Sequence, residues 1–278
     1  MTGRLDRALA TIARWPVTTA AAAVIGPDGV LATYGDQRRR FALASVTKPL
    51  AALAVLVAVE EGALELSDPA DEALVPGATL RHLLSHASGL APELPMRSFA
   101  PAVRRVYSNV GIELAGSLVA AAAGLPFSRY AEEALRAPLE LRDTSLAGSP
   151  ARDGVSSVAD LVSVARELLV PGRLLHPTTL ADASTVQYPG LRGVLPGFGG
   201  QDPNDWGLGL EIRGDKHPHW TGSANSPATF GHFGQRGTFV WLDPVARAGL
   251  VVLTDRDFGP WAAQAWPVLS DAVLAALS

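Results

Sequence analysis

The chain contains no cysteine, and only two of its 23 basic residues are lysine. Without cysteine there is no disulfide, no thiolate nucleophile and no zinc site built on thiolates. The net charge is −4 and the one basic run is at 38–40, so we expect no nucleic-acid partner. With 48% hydrophobic residues over 278 positions, the chain can bury a large core.

Long hydrophobic runs are missing as well. The longest, at 49–59, is much shorter than the roughly 20 residues that a membrane-spanning helix needs, and it ends at Glu60. The first ten residues mix acidic and basic side chains and lack the apolar core of a signal peptide. We therefore expect no membrane partner and predict a cytoplasmic protein.

The scarcity of lysine draws attention to the Ser-Val-Thr-Lys stretch at 45–48. An ammonium group can lose its proton when it is buried, whereas a guanidinium group cannot. A neutral amine at Lys48 can take the hydroxyl proton of Ser45 and make it a nucleophile. The alternative is a helix N-cap serine followed by a solvated lysine, although the positive end of the helix dipole disfavours that cation.

A second motif, Tyr-Ser-Asn at 107–109, immediately precedes a helical pattern. A phenol beside a lysine can act as a general base, either as phenolate or by sharing a proton with the amine. Asn109 can donate an amide hydrogen bond to a substrate carbonyl. The alternative is a buried Tyr107 and an asparagine that caps the helix.

A third motif, Gly-His-Phe-Gly-Gln at 231–235, lies on a predicted strand. Gly234 allows a ligand to approach the backbone, and the amide of Gln235 can then donate to an oxyanion. The alternative is a glycine bulge beside a core histidine, His232. The two histidines at 217 and 219 have only Asp215 nearby, so we predict a surface loop there and neither a metal site nor a cofactor.

The periodicity predicts an α+β fold, with an antiparallel sheet built from both termini, flanked by helices, and an all-helical domain inserted between them. The sheet domain covers 1–64 and 205–278, the helical domain covers 65–204, and the active site lies at their interface. Strands are predicted at 19–25, 30–34, 207–213, 228–233, 238–242 and 250–254. Helices are predicted at 5–15, 45–61, 79–86, 110–123, 128–135, 158–169 and 260–277. The segment 189–204 is rich in glycine and proline and is predicted to be a loop.

Taken in order, the three motifs resemble those of the serine β-lactamase and penicillin-binding-protein superfamily. The stretches at 83–90, 206–210 and 237–244 fit the same pattern. The class C-like branch is the most similar, with its family VIII carboxylesterases, D-aminopeptidases and DD-peptidases. The resemblance implies an acylated nucleophile at Ser45, Lys48 as its proton partner, Tyr107 as general base and an oxyanion hole formed by the amides of Ser45 and Gln235.

The resemblance also implies that Asn109, His232 and Gly234 contact the substrate, whereas His86 is interpreted as a hydrogen-bonded structural residue. Where β-lactamases and DD-peptidases usually have Lys-Thr-Gly, this chain has His-Phe-Gly, which offers less positive charge to an anionic substrate. We therefore expect a serine hydrolase of small esters or amides. The alternatives are a true β-lactamase or DD-peptidase that binds lactams, and a catalytically silent binding module. The sequence leaves the oligomeric state open.

Overall fold

A computed structural model describes residues 2–278 of the chain. The helices are α1 (Thr2–Ala10), α2 (Thr47–Glu60), α3 (Leu80–Leu84), α4 (Asn109–Ala123), α5 (Phe127–Leu139), α6 (Val158–Leu169), α7 (Pro177–Ala183) and α8 (Pro260–Leu277). The strands are β1 (Ala20–Gly26), β2 (Gly29–Tyr34), β3 (Phe41–Ala42), β4 (Val155–Ser156), β5 (Gly193–Leu195), β6 (Gly199–Gln201), β7 (Glu211–Ile212), β8 (Phe230–Gly234), β9 (Thr238–Asp243) and β10 (Ala248–Thr254). Short 3₁₀ turns occupy Thr11–Arg14 and Ala44–Val46.

The large sheet has six strands in the order β2-β1-β10-β9-β8-β7, and every neighbouring pair is antiparallel. Strands from both ends of the chain meet where β1 pairs with β10. The predicted antiparallel sheet built from both termini is therefore confirmed. Two small sheets, β3 with β4 and β5 with β6, complete the strand pairing.

The alanine-rich strand β1 is buried on both faces, and its side chains alternate between two hydrophobic cores. Ala21, Ala23 and Ile25 belong to a core that also contains residues of α2, α4 and α6. The intervening residues at positions 20, 22 and 24 belong to a second core, formed with α1 and α8. This alternation is the period of two expected for a strand between two layers of helices, and small side chains suit a strand buried on both faces.

Helix α2 carries buried residues on every side, which is typical of a helix at the centre of a fold. It packs against α4 and α5 on the helical side of the molecule. Its first turn follows the 3₁₀ turn at Ala44–Val46 directly, so the Ser45 to Lys48 stretch sits on one of the most enclosed elements of the chain.

The segment 207–213 departs from its predicted strand, because only Glu211–Ile212 is paired in the sheet. The Gly207 N–H donates to the Leu210 carbonyl at 2.8 Å and closes a turn. Gly209 has a φ of +72°, and a Cβ there would lie 2.1 Å from the Ala52 side chain. Glycine thus lets this segment fold tightly against α2 instead of extending.

Other short segments also differ from expectation. The predicted loop at 189–204 contains the β5–β6 hairpin, and strand β4 lies in the largely helical middle of the chain. The prediction of a surface loop at 217–220 is wrong for its second half, because His219 and Trp220 are buried. The division into two domains stays a prediction.

No single helix within residues 2–278 is long and apolar enough to cross a membrane. Helices α4 and α5 satisfy the length and composition criteria only as a pair, and they meet at an 85° bend. The cytoplasmic location stays a prediction.

Candidate active site

Ser45 lies in the 3₁₀ turn between β3 and α2, on the wall of a cavity of about 290 Å³. The turn is held at its start, where the Leu43 N–H donates to the Gly154 carbonyl at 2.8 Å. Ala44 has a φ of +47°, a left-handed conformation that is strained for a residue with a Cβ. The Thr47 hydroxyl donates to the Ala44 carbonyl at 2.6 Å and helps to hold that conformation. The fold thus fixes the backbone on both sides of the serine.

Lys48 lies in the first turn of α2, and its side chain is completely buried. Its Nζ lies 3.1 Å from Ser45 Oγ, 2.6 Å from Asn109 Oδ1 and 2.8 Å from the Ala151 carbonyl oxygen. Burial, together with the nearby positive charge of Arg152, lowers the pKa of Lys48 to about 7. Two acidic residues, Glu93 and Glu113, oppose this shift. Near neutral pH a large fraction of the lysine is therefore an uncharged amine.

The three contacts of Lys48 restrict where its lone pair can point. The Asn109 Oδ1 atom and the Ala151 carbonyl oxygen can only accept hydrogen bonds, so each takes one N–H of the amine. A neutral amine has two N–H groups and one lone pair, so the lone pair faces the third contact, Ser45 Oγ. In this state the serine hydroxyl donates to the lysine, which is the arrangement needed for proton removal.

The orientation of the Asn109 amide is set by Glu93. The Asn109 Nδ2 donates to Glu93 Oε1 at 2.5 Å, and a carboxylate can only accept. The other oxygen of Glu93 forms an ion pair with Arg152 at 3.0 Å, next to the Ala151 carbonyl that Lys48 contacts. Sequence reasoning missed Glu93 and Arg152, and no local motif marks them, because these residues meet only through the tertiary fold.

The Tyr107 ring lies beside Lys48, with the ring centroid 4.6 Å from Nζ. Desolvation by burial raises the pKa of the Tyr107 phenol well above its usual range, and a hydrogen bond with Ser45 opposes this only in part. The phenolate considered from the sequence is therefore unfavourable, and Tyr107 stays a neutral phenol in contact with Ser45.

His232, on β8, is 3% exposed and lines the same cavity. Its Nδ1 lies 2.6 Å from the Phe233 carbonyl oxygen, which can only accept, so Nδ1 carries the proton. Burial lowers the pKa of His232 to about 3, and the positive charge of Lys48 contributes to the shift. The ring is therefore neutral, and its Nε2 lone pair has no hydrogen-bond partner among residues 2–278.

Gly234 at the end of β8 serves the packing of the Ser45 turn. A Cβ there would lie 2.3 Å from the Leu43 carbonyl oxygen and 3.2 Å from Ser45 N. The sequence predicted that a ligand would approach the backbone at Gly234, whereas in the structure the backbone of Leu43 and Ser45 lies close to it. Gln235 follows at the exposed end of the strand and also lines the cavity, so the structure brings all the sequence-predicted residues to one place.

Aromatic rings form one wall of the cavity, where Trp206 packs against Tyr107 and His232 with centroid separations of 5.7 and 5.5 Å. Behind them, His86 is buried; its Nδ1 accepts from the Ser108 N–H at 3.2 Å, whereas its Nε2 has no hydrogen-bond partner among residues 2–278. The structural role of His86 stays a prediction. The cavity lining consists of Ser45, Pro92, Glu93, Tyr107, Asn109, Leu195, Pro196, Trp206, Glu211, His232, Phe233 and Gln235.

A buried ionic network reaches the lining at Glu211 and holds the second lysine of the chain. Glu211 accepts from Lys216 Nζ at 3.0 Å, from His219 Nε2 at 2.8 Å and from the Trp220 indole at 2.5 Å. Burial alone would raise the pKa of Glu211, but these partners hold it well below the usual range. Within the described residues, no group of three or more His, Cys, Asp or Glu side chains is arranged to hold a metal ion.

Comparisons with known proteins agree with this architecture. A family model described as Beta-lactamase matches residues 13–274. The crystal structure of a beta-lactamase from Mycobacterium bovis is 55% identical, with a TM-score of 0.94 over 97% of this chain and 99% of that one. The structure of EstCE1, described as a hydrolase with promiscuous acyltransferase activity, shares the fold at 18% identity, with a TM-score of 0.80 and 98% coverage of each chain.

Among curated proteins, the D-alanyl-D-alanine-carboxypeptidase/endopeptidase AmpH of Escherichia coli strain K12 is 26% identical over 142 residues. That alignment covers 39% of this chain and 37% of AmpH. A beta-lactamase of Pseudomonas fluorescens is 28% identical over 57% of this chain and 59% of its own length. The matched region thus spans between about one third and three fifths of these curated relatives.

Proposed function

The chain belongs to the beta-lactamase family, and on this basis we propose that it is a serine hydrolase acting on small esters or amides through an acyl-enzyme at Ser45. The observation that carries the proposal is the contact of a fully buried Lys48 amine with the serine hydroxyl at 3.1 Å. With its two N–H groups engaged elsewhere, the neutral amine presents its lone pair to that hydroxyl.

In the proposed reaction, Lys48 takes the proton of Ser45 while Oγ bonds to the acyl carbon of the substrate. The backbone N–H groups of Ser45 and Gln235 donate to the oxyanion that forms. The Tyr107 phenol donates its proton to the leaving oxygen or nitrogen, and Lys48 restores that proton. Water then attacks the acyl-enzyme, and the same groups return Ser45 to its starting state.

The substrate contacts follow from the neutral His232. The uncharged ring gives a substrate carboxylate no positive charge to bind. Asn109 lines the cavity with its amide held by Glu93, and Gly234 keeps the strand close to the nucleophile. This arrangement favours neutral esters and amides.

The test is labelling of the folded protein with a fluorophosphonate, followed by mass mapping of the modified peptide. We expect one adduct at Ser45, and hydrolysis of p-nitrophenyl acetate that disappears in Ser45→Ala. An unmodified Ser45 in protein shown to be folded by circular dichroism would refute the proposal and favour a silent binding module.

A second candidate is a true β-lactamase or DD-peptidase, favoured by the 55% identity to the Mycobacterium bovis beta-lactamase structure. Labelled penicillin and a chromogenic cephalosporin distinguish the two candidates. A covalent penicillin adduct at Ser45 with rapid cephalosporin turnover would favour lactam chemistry. Ester hydrolysis without such turnover would favour the first candidate.

A further inference from the structure

Exposed apolar side chains are concentrated beside the cavity. Among the described residues, nine large hydrophobic side chains are exposed, and four of them lie within 94–103. Even spacing along 278 residues would place about 0.3 of them in a window of ten. They are Leu94, Met96, Phe99 and Val103, with exposed fractions of 59, 52, 38 and 60%.

This segment continues directly from the cavity wall. Pro92 and Glu93 line the cavity, and Leu94 is the next residue. A second segment of the chain also lines the cavity, through Leu195 and Pro196. The residue before them, Val194, is 52% exposed. We call Leu94, Met96, Phe99, Val103 and Val194 the apolar rim.

The two parts of the apolar rim are neighbours in the fold. The Arg105 N–H donates to the Arg192 carbonyl at 3.0 Å, and Arg105 forms a parallel bridge with Gly193 at the start of β5. The segment that carries Val103 therefore runs next to the hairpin that carries Val194. One apolar surface can thus extend along both parts.

The backbone holds the long segment of the rim in place. The Ser98 and Phe99 N–H groups both donate to the Gly89 carbonyl, at 2.8 and 3.1 Å. At the other end, the Asn109 N–H donates to the Pro92 carbonyl at 2.9 Å. A surface held in this way loses little conformational entropy when it binds a ligand.

From this geometry we infer that the apolar rim binds the acyl chain of the substrate, and that the preferred substrates are neutral esters whose acyl chains are long enough to extend beyond the cavity. A cavity of about 290 Å³ is at the small end of ligand pockets, so a longer chain must leave it across the rim. The inference rests on the proposed function, because it concerns the substrate of the same site.

The experiment measures kcat/KM for p-nitrophenyl esters from acetate to decanoate, first below and then above their critical micelle concentrations. We expect kcat/KM to increase about twofold to fourfold per added methylene beyond butyrate, because each methylene leaves water. In Leu94→Ser/Met96→Ser, the ratio of octanoate to butyrate should fall by about tenfold. The matched control is Val245→Ser/Val268→Ser, which removes two exposed valines elsewhere and should leave that ratio unchanged.

Three results would overturn the inference. The first is a wild-type kcat/KM that stays constant or falls as the acyl chain lengthens beyond butyrate. The second is an increase in kcat/KM with acyl length that is as steep in Leu94→Ser/Met96→Ser as in the wild type. The third is an increase in kcat/KM that appears only above the critical micelle concentration. The last result would indicate that the rim binds a lipid surface. Labelling of Ser45 by the fluorophosphonate in the same preparations shows whether the proposed function itself has failed.

Discussion

At the scale of single residues, the charge on Lys48 is the property on which the proposed chemistry depends. Its pKa of about 7 implies that the amine gains its lone pair as the pH rises through neutrality. We expect kcat/KM for a neutral ester to increase from pH 5 to 8 with an apparent pKa near 7. The Tyr107 phenol stays protonated over this range, so it adds no second rise.

Two charge-removing variants should move this profile in opposite directions. Arg152 lowers the pKa of Lys48, so in Arg152→Gln the increase in kcat/KM should occur at higher pH. Glu93 raises the pKa of Lys48, so in Glu93→Gln the increase in kcat/KM should occur at lower pH. Because both side chains are partly exposed, we expect shifts of only about 0.3–0.5 pH unit. Arg129→Gln, which breaks an ion pair with Glu133, is the control. Shifts of the same sign would contradict Lys48 as the titrating group.

The second lysine has a structural role. Lys216→Met removes the partner of the buried Glu211 carboxylate, and leaving a buried charge unpaired costs about 3–5 kcal/mol of unfolding free energy. We expect chemical denaturation to show that loss, and the double variant Glu211→Gln/Lys216→Met to recover most of it. A single variant as stable as the wild type would mean that water or a rearranged side chain satisfies Glu211.

At the scale of elements, the contact between β8 and the nucleophile turn depends on Gly234. In Gly234→Ala the new methyl group would press on the Leu43 carbonyl and displace Ser45. A shift of about 1 Å at a reacting group can cost roughly 100-fold in rate, so we expect a loss of that order in kcat/KM. Gly200→Ala is the matched control, because no atom of the described part of the chain lies within 4 Å of the added Cβ. Equal activity of the two variants would show that the strand does not position the serine.

The same elements show how far the sequence predicts the site. Ser45 and Lys48 are separated by less than one helical turn, so their proximity follows from local periodicity. Strand β1 was predictable for a similar reason, since a run of small apolar residues between turn signals fits a buried strand. Arg152 reaches Glu93 only through the tertiary fold, and no local pattern encodes such a pair. The burial of His219 was missed because its partner Glu211 lies on a different segment.

At the scale of the whole molecule, negative charge is a property that the cavity and the chain share. The chain has a net charge of −4. Among residues 2–278, the cavity lining contains two carboxylates, Glu93 and Glu211, and neither lysine nor arginine. His232 adds no positive charge, because burial lowers its pKa to about 3. An anionic substrate therefore approaches the field of a negatively charged molecule and meets no free cation in the lining that the described residues form, because Arg152 and Lys216 are already paired with Glu93 and Glu211.

We expect this field to discriminate between two esters of equal acyl length, p-nitrophenyl butyrate and mono-p-nitrophenyl succinate. At low salt, kcat/KM for the anionic succinate should be at least about tenfold lower than kcat/KM for the butyrate. This gap, the ratio of the two kcat/KM values, should narrow as salt screens the field. Glu93→Gln keeps an acceptor for the Asn109 amide while it removes one charge, so the gap should narrow in that variant as well. Glu65→Gln, on the exposed surface, is the control and should leave the gap unchanged. Equal turnover of the two esters would mean that a cation reaches the bound substrate, and it would restore lactam and D-alanine termini as candidate substrates.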